Sequence, residues 1–183
     1  EVKLRYMSAS YNIFINNCVA DIHFTFFIIN QLNTADIVKK ILNNRYKNYD
    51  IIILNNDDVN CIKSKNIYFF KISKDMTYLN ALLLGMKLCK KESFVIILNN
   101  FDIQIDLLEK INNLMIETKR IMTIKLDNLN AICVYRDIFL YFDEMTDYDN
   151  VFNGIISLPD IWLYEYKKDD NIFNLINVNK CDE

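Results

Sequence analysis

The chain contains very little glycine or proline: Gly85, Gly154 and Pro159 are the only such residues among its 183. Phosphate-binding loops and dinucleotide fingerprints need several glycines, because their backbone amides must approach the phosphate closely. The sequence therefore excludes the common glycine-rich motifs of ATPases, GTPases and NAD enzymes.

Histidine is almost absent as well, and the cysteines follow no pattern. His23 is the single histidine, and the five cysteines form no Cys-x-x-Cys pair. A zinc site is not expected from these residues, and unpatterned cysteines are typical of reduced thiols. His23 is predicted to be structural, because nothing in the sequence marks a partner for nucleophilic catalysis.

Long apolar runs and an excess of positive charge are also missing. No run approaches the roughly 20 residues that a membrane helix needs, and no signal-peptide pattern is present, although a start at Glu1 is compatible with a trimmed chain or a fragment. The formal net charge of −3 argues against a nucleic-acid surface. We expect a cytoplasmic protein without a transmembrane segment or a nucleic-acid partner.

Strand-like and helix-like segments alternate from His23 to about residue 120. Continuous apolar runs predict buried strands, and apolar residues at helical spacing predict amphipathic helices. The predicted strands are 24–29, 49–54, 67–72 and 94–98, the predicted helices are 34–44, 75–89 and 106–118, and 121–126 with 131–135 form a predicted hairpin. This alternation predicts one α/β domain with a mostly parallel sheet.

The pattern is weaker at both ends of the chain, where residues 1–22 have no clear assignment. We expect a helix over 136–145, an acidic loop over 143–150 and a short helix after Pro159. Aromatic residues in the third strand (Tyr68, Phe69, Phe70) are expected in the core, and those near Pro159 (Trp162, Tyr164, Tyr166) are expected to pack on the core or on a partner.

Two predicted strands end in the same way, with a pair of asparagines and an aspartate close behind. The runs are IIILNND at 51–57 and FVIILNNFD at 94–102. Ligands bind at the carboxyl ends of parallel strands, so these amides are candidates for a ligand-facing rim. Asparagine also turns the chain by bonding its own backbone, and both interpretations stay open at this point.

The order of motifs over residues 23–103 carries a resemblance. The first strand leads into NQLN at 30–33, YKNYDIII at 46–53 leads into NNDD at 55–58, ALLLG follows at 81–85, and the fourth strand leads into NNFD at 99–102. This order is similar to the nucleotide-sugar-binding half of GT-A-fold glycosyltransferases of the inverting family-two type. The resemblance implies a single GT-A-like domain over 1–183, a three-layer sandwich with its donor half at 23–103 and its acceptor half at 104–183.

The charged motifs of that family are altered here, so the donor-site motifs are degenerate. Where the family has Asp-Asp, Arg-Asn and Asp-x-Asp, this chain has Asn55-Asn56, Leu82-Leu83 and Asn99-Asn100-Phe101. Asp102, just beyond the last motif, is the one candidate metal ligand. Because an amide oxygen is a weaker, neutral ligand for a hard cation, Mn²⁺ or Mg²⁺ is expected to bind poorly.

The resemblance implies roles for particular residues. The donor would be bound by Asn33, Asn55, Asn56, Asp57, Asn100 and Asp102, and Asp149 would be the catalytic base. The implied reaction transfers a sugar from a nucleotide diphosphate sugar to an acceptor hydroxyl, with inversion.

Other interpretations remain open. For Asp149 the alternative is an ordinary solvated acidic loop. For the whole chain, one alternative is a catalytically inactive glycosyltransferase-like module that serves in binding or assembly with a protein partner. A further alternative is a generic α/β protein of unrelated function.

Overall fold

The described part of the chain is an α/β arrangement built on one eight-stranded sheet. The computed structural model describes residues 22–60, 63–90, 93–98, 102–118, 122–127, 131–140, 147–156 and 162–178. The strands are β1 His23–Ile29, β2 Tyr49–Asn55, β3 Ile67–Lys71, β4 Ser93–Leu98, β5 Met122–Leu126, β6 Ala131–Tyr135, β7 Trp162–Lys167 and β8 Ile172–Val178. The helices in the described residues are α1 Thr34–Leu42, α2 Tyr78–Leu88, α3 Leu107–Thr118, α4 Arg136–Leu140 and α5 Tyr148–Ile156.

The sheet is mixed, with the strand order β3-β2-β1-β4-β6-β5-β7-β8. Strands β1 to β4 are parallel, and β5 is parallel to β7. Strand β6 runs antiparallel to both β4 and β5, and β8 runs antiparallel to β7. The mixed directions qualify the prediction of a mostly parallel sheet, whereas the predicted hairpin of β5 and β6 is confirmed.

Helices cover both faces of the sheet, and the strands between them are buried for that reason. On one face, the ring of Tyr49 packs edge-on against Phe26 and its hydroxyl donates a 3.1 Å hydrogen bond to the Ile41 carbonyl of α1. Phe27 points to the opposite face, because successive strand residues alternate, and it meets Gly85 of α2. Every residue of β4 is buried, as expected for a strand covered on two sides.

All six predicted strands and the first three predicted helices are present, with small shifts in their ends. Helix α2 is preceded by Thr77, whose hydroxyl accepts a 3.2 Å hydrogen bond from the backbone amide of Asn80. Helix α1 is preceded by Asn33, which makes no side-chain cap bond. The periodic apolar residues therefore located the helices, and of these two preceding residues only Thr77 caps its helix with a side chain.

Three predictions are wrong. A short helix was expected after Pro159, but Trp162–Lys167 is strand β7, where Tyr164 and Tyr166 are buried. Tyr68 and Phe69 were expected in the core, but they are 45% and 40% exposed, because β3 is an edge strand with one open side.

The third error concerns the acidic loop over 143–150. Tyr148–Ile156 is helix α5, so Asp149 lies in a first helical turn. The loop's first residues, 143–146, lie outside the described part of the chain.

The cysteines that the structure describes, Cys89 and Cys133, are both free thiols. Burial raises the pKa of Cys89 to about 11, so this thiol stays protonated at neutral pH. Among the described residues, no helix is both long enough and apolar enough to cross a membrane.

Candidate functional site

A cleft lies at the carboxyl ends of β1 and β2, the edge where open α/β sheets bind ligands. Its volume is about 440 Å³. The lining comes from the segment between β1 and α1 and from the segment after β2, and comprises Asn30, Gln31, Leu32, Thr34, Ala35, Asn55, Asn56, Asp57, Asp58, Val59 and Asn60. The structure thus brings three of the predicted donor-site residues, Asn55, Asn56 and Asp57, into one cavity.

Asparagine side chains shape the rim of this cleft. Asn30 has a left-handed backbone with φ 46°, and its side-chain Oδ1 accepts a 3.0 Å hydrogen bond from the backbone amide of Asn56. The side-chain amide of Asn55 donates a 2.9 Å hydrogen bond to the backbone carbonyl of Asp57. The first contact joins the segment after β1 to the segment after β2, and the second closes a turn within the segment after β2. Part of the amide content therefore serves the local chain geometry.

The charges in the cleft are negative. Asp57 is exposed and Asp58 lies 3.3 Å from Lys71, whereas the described lining contains no lysine or arginine. Carboxylates and amide oxygens accept hydrogen bonds from hydroxyl and amino groups. The cleft is therefore suited to a neutral polar group such as a nucleoside or a sugar, and less suited to a phosphate.

Helix α1 begins beside the cleft. Thr34 is buried, and its hydroxyl donates a 2.6 Å hydrogen bond to the Gln31 carbonyl, which fixes the turn that leads into the helix. Asn33 is exposed and does not belong to the cleft lining. Of these two neighbours, Thr34 rather than the predicted Asn33 contributes to the cleft.

Only part of the segment that follows β4 is described. Asn99, Asn100 and Phe101 lie outside the described residues, so the predicted contribution of Asn100 has no structural counterpart here. Asp102 is described and lies between two lysines, with Oδ1 2.6 Å from Lys40 and Oδ2 2.6 Å from Lys168. Hydrogen bonds from Lys168 and Lys40 lower the pKa of Asp102.

This arrangement does not fit a divalent cation. Both carboxylate oxygens of Asp102 are occupied by ammonium groups, and the residue does not line the cleft. Within the described ranges, no three histidine, cysteine or acidic side chains come together as a metal-binding group. The described surroundings of Asp102 are those of a carboxylate shared by two lysines at the protein surface, and not those of a metal ligand.

Asp149 lies on a different element from the cleft. It is exposed in the first turn of α5, next to Tyr148, whose ring packs edge-on against Tyr78 at 5.6 Å. Burial raises the pKa of Tyr78 to about 12, and it raises that of Tyr148 as well. Since Tyr78 begins α2, the aromatic pair ties the start of α5 to the carboxyl edge of the sheet.

A polar chain at the opposite, amino edge of the sheet was not predicted from the sequence. Nδ1 of His23 lies 3.0 Å from the Ser93 hydroxyl, which lies 2.7 Å from the Thr25 hydroxyl. Nε2 of His23 lies 3.1 Å from Oδ2 of Asp50, close enough for an ion pair but poorly aligned for a hydrogen bond. Three strands, β2, β1 and β4, supply these side chains.

The residue types are those of a serine–histidine–aspartate hydrolase, but the burial is not. Ser93 and Thr25 are completely buried, so a substrate carbonyl has no access to the Ser93 hydroxyl. The prediction that His23 is structural agrees with this location, while its hydrogen-bonded partner Ser93 was missed.

Comparisons with known proteins add no assignment: the chain matches no protein-family model, no curated protein and no solved structure.

Proposed function

We propose that this chain is a GT-A-like domain that binds a nucleotide diphosphate sugar, with the nucleoside in the cleft after β1 and β2. The observation that carries the proposal is the position of this cleft. Asn55, Asn56 and Asp57, which the sequence resemblance assigns to the nucleoside side of the donor, line a cavity of about 440 Å³.

The sheet order supports the proposal. Strands β3-β2-β1-β4 are adjacent and parallel, which is the order of a nucleotide-binding half in doubly wound folds. In such sheets the ligand binds outside the carboxyl ends of the strands, near the point where the order reverses. That point is between β1 and β4 here, and the cleft is one strand away from it.

The chemistry of the lining supports a nucleoside more than a phosphate. The exposed Asp57 carboxylate can accept hydrogen bonds from the two ribose hydroxyls. A side-chain amide such as that of Asn56 can donate to and accept from the hydrogen-bonding groups on the edge of a base. Since no described cation lines the cleft, the diphosphate would lie outside it, toward the end of β4.

In the transferase form of this proposal, Asp149 removes the proton from the acceptor hydroxyl. An exposed carboxylate at the start of α5 is reachable by an acceptor from solvent, and a general base must come within hydrogen-bond reach of the hydroxyl. No step is assigned to a metal ion, because the described surroundings of Asp102 do not fit one.

A second candidate is a glycosyltransferase-like binding module that transfers nothing. The observation that favours it is the pairing of Asp102 with both Lys40 and Lys168. A carboxylate neutralised in this way supplies no charge for holding a metal–diphosphate group. In this form the cleft retains nucleoside or sugar binding, while the transfer chemistry is lost.

Ligand binding can be tested by thermal unfolding with UDP-glucose and GDP-mannose, each with and without Mn²⁺. A ligand that binds the folded state raises the melting temperature by mass action. We expect a rise with at least one nucleotide sugar that does not require Mn²⁺, and loss of the rise in Asp57→Ala. Asp36→Ala, which removes an exposed carboxylate of α1 outside the cleft lining, should keep the full rise.

The same experiment defines failure. The absence of any shift at millimolar ligand, or an equal loss in both variants, overturns the cleft as a donor site. If binding occurs, release of the nucleoside diphosphate in the presence of acceptor sugars separates the two candidates. Release that is abolished in Asp149→Asn supports the transferase, and binding without release supports the module.

A further inference from the structure

Two lysines and one aspartate form a charged cluster near the carboxyl edge of the sheet. Asp102 comes four residues after the end of β4, Lys40 lies on α1, and Lys168 directly follows β7. Each ammonium nitrogen lies 2.6 Å from a different oxygen of the Asp102 carboxylate. The cluster therefore has an excess of positive charge, whereas the charged side chains in the described lining of the cleft are all acidic.

The two ammonium groups keep hydrogen-bonding capacity for a ligand. An ammonium group has three donors, and among the described residues each of these two groups has Asp102 as its partner. The side chains of Lys40 and Lys168 are 55% and 38% exposed, so their remaining donors are open to a ligand that arrives from solvent. Hydrogen bonding to Asp102 raises the pKa of Lys168, so this side chain is charged at neutral pH.

The cluster lies on the side of the cleft to which the proposed function assigns the diphosphate, toward the end of β4. Helix α1 begins at the cleft with Thr34, and Lys40 is about 9 Å further along the helix axis. Because the Cα–Cβ bonds of a helix tilt toward its start, the Lys40 side chain is directed back toward the cleft. Lys168 lies at the same edge because β7 runs in the same direction as β4, and its backbone amide donates a 2.8 Å hydrogen bond to Asp127.

We infer that Lys40 and Lys168 bind the diphosphate of the nucleotide sugar directly, in place of a divalent cation. The inference rests on the proposed function, because the nucleoside in the cleft determines where the diphosphate begins. Hydrogen bonds from an ammonium group to a phosphate oxygen are charge-assisted and stronger than those between neutral groups. The two lysines together supply the same formal charge as Mn²⁺ or Mg²⁺, for which the described surroundings of Asp102 leave no ligand.

Asp102 holds the two lysines together in this arrangement. Two ammonium groups repel each other at short range, and the shared carboxylate keeps both of them beside one position of the sheet edge. A phosphate oxygen accepts from the donors that Asp102 leaves free, so the carboxylate stays in place. Its negative charge opposes that of the ligand. Removal of this charge should therefore strengthen diphosphate binding, whereas removal of a metal ligand would weaken it.

Isothermal titration calorimetry on the full chain in EDTA tests the inference, with uridine, UDP and pyrophosphate as ligands. We expect UDP binding to weaken about tenfold at low salt in Lys40→Gln and in Lys168→Gln, with uridine binding unchanged. Lys39→Gln and Lys167→Gln remove the same charge from the neighbouring positions, which are also exposed, and should leave both affinities unchanged. An unaltered uridine affinity also establishes that each variant is folded.

Asp102→Asn should change binding in the opposite direction. We expect UDP and pyrophosphate to bind about threefold more tightly to this variant at low salt, because the cluster gains net positive charge. UDP binding that EDTA or Asp102→Asn abolishes, or that the four lysine variants affect equally, overturns the inference while uridine binding still supports the cleft. Pyrophosphate binding that depends on Lys40 and Lys168, without any binding of uridine, contradicts the nucleoside site and retains the lysine pair. No binding of any of the three ligands overturns both.

Discussion

The imidazole of His23 and the hydroxyl of Ser93 lie 3.0 Å apart at the first residues of two adjacent strands. If Nε2 of His23 carries the ring proton toward Asp50, Nδ1 is left as an acceptor for the Ser93 hydroxyl. Ser93 can then accept from Thr25, so one neutral imidazole gives a partner to both hydroxyls. A protonated imidazole would donate from both nitrogens and would force Ser93 to reverse its hydrogen bond.

This relationship predicts that stability depends on pH. Burial lowers the pKa of His23 from the ordinary 6.5; the carboxylate of Asp50 opposes this effect, and the charge of Lys90 adds to it. The unfolded chain therefore binds a proton at a higher pH than the folded chain does. The free energy of unfolding should be highest above pH 6.5 and should fall as the pH decreases through that value toward the folded pKa.

Urea denaturation at about pH 7.5 and about pH 5.5 measures the effect, over a range in which histidine is the main titrating side chain. His23→Gln removes the titrating ring, so we expect this variant to show a smaller change between the two conditions. A free energy of unfolding that rises on acidification, or an equal change in both proteins, would contradict the assignment of a buried neutral imidazole.

The central strands were predictable from the sequence because they are continuous apolar runs. Residues 24–29 and 94–98 can only be buried on both sides, and the structure buries every one of them. Strand β8 was not predictable in this way, because its side chains over 172–176 are largely exposed and IFNLINV has no regular alternation of apolar and polar residues. Its pairing with β7 includes a register irregularity at Leu163 and Tyr164, a feature of the folded sheet that local patterns do not contain.

The polar contacts were much less predictable than the strands. Ser93 and His23 are 70 residues apart in sequence, and they meet because the register of β1 with β4 places them opposite each other. In the same way, Asp102 was identified from its position after β4, but its two lysine partners come from α1 and from the turn after β7. Motif order locates a strand end, whereas the partners of its side chains depend on tertiary packing.

Gly85 permits the close approach of α2 to the sheet. A Cβ atom at this position would lie 2.8 Å from Cδ1 of Phe27, closer still to its Cε1, and 3.1 Å from Cδ1 of Leu54. Phe27 and Leu54 are completely buried, so neither side chain can move without displacing its neighbours. We expect Gly85→Ala to lower the free energy of unfolding by about 1–3 kcal/mol, despite the better helix propensity of alanine.

Chemical denaturation of Gly85→Ala and Lys87→Ala measures this effect. Lys87 is exposed on the same helix, so its replacement should change the stability by less than about 0.5 kcal/mol. An alanine at position 85 that stabilises the protein would mean that α2 is not in close contact with Phe27.

The backbone of Asn30 provides the last prediction, which concerns the rim of the candidate cleft. Asn30 has φ 46°, a left-handed conformation that glycine adopts freely and that alanine adopts at a cost of about 1–2 kcal/mol. Both Asn30→Gly and Asn30→Ala lose the hydrogen bond to the Asn56 amide. The difference between the two variants therefore isolates the backbone contribution, and we expect the glycine variant to be the more stable by about 1 kcal/mol.

Asn43, at the end of α1, is the matched control for this comparison. It is also an exposed asparagine, but its φ of −78° is right-handed. There the order of the two variants should reverse, because glycine has no steric advantage in that conformation and loses more entropy on folding. If alanine is also the better residue at position 30, the chain does not make the left-handed turn that aims Asn30 at Asn56, and the cleft is formed differently.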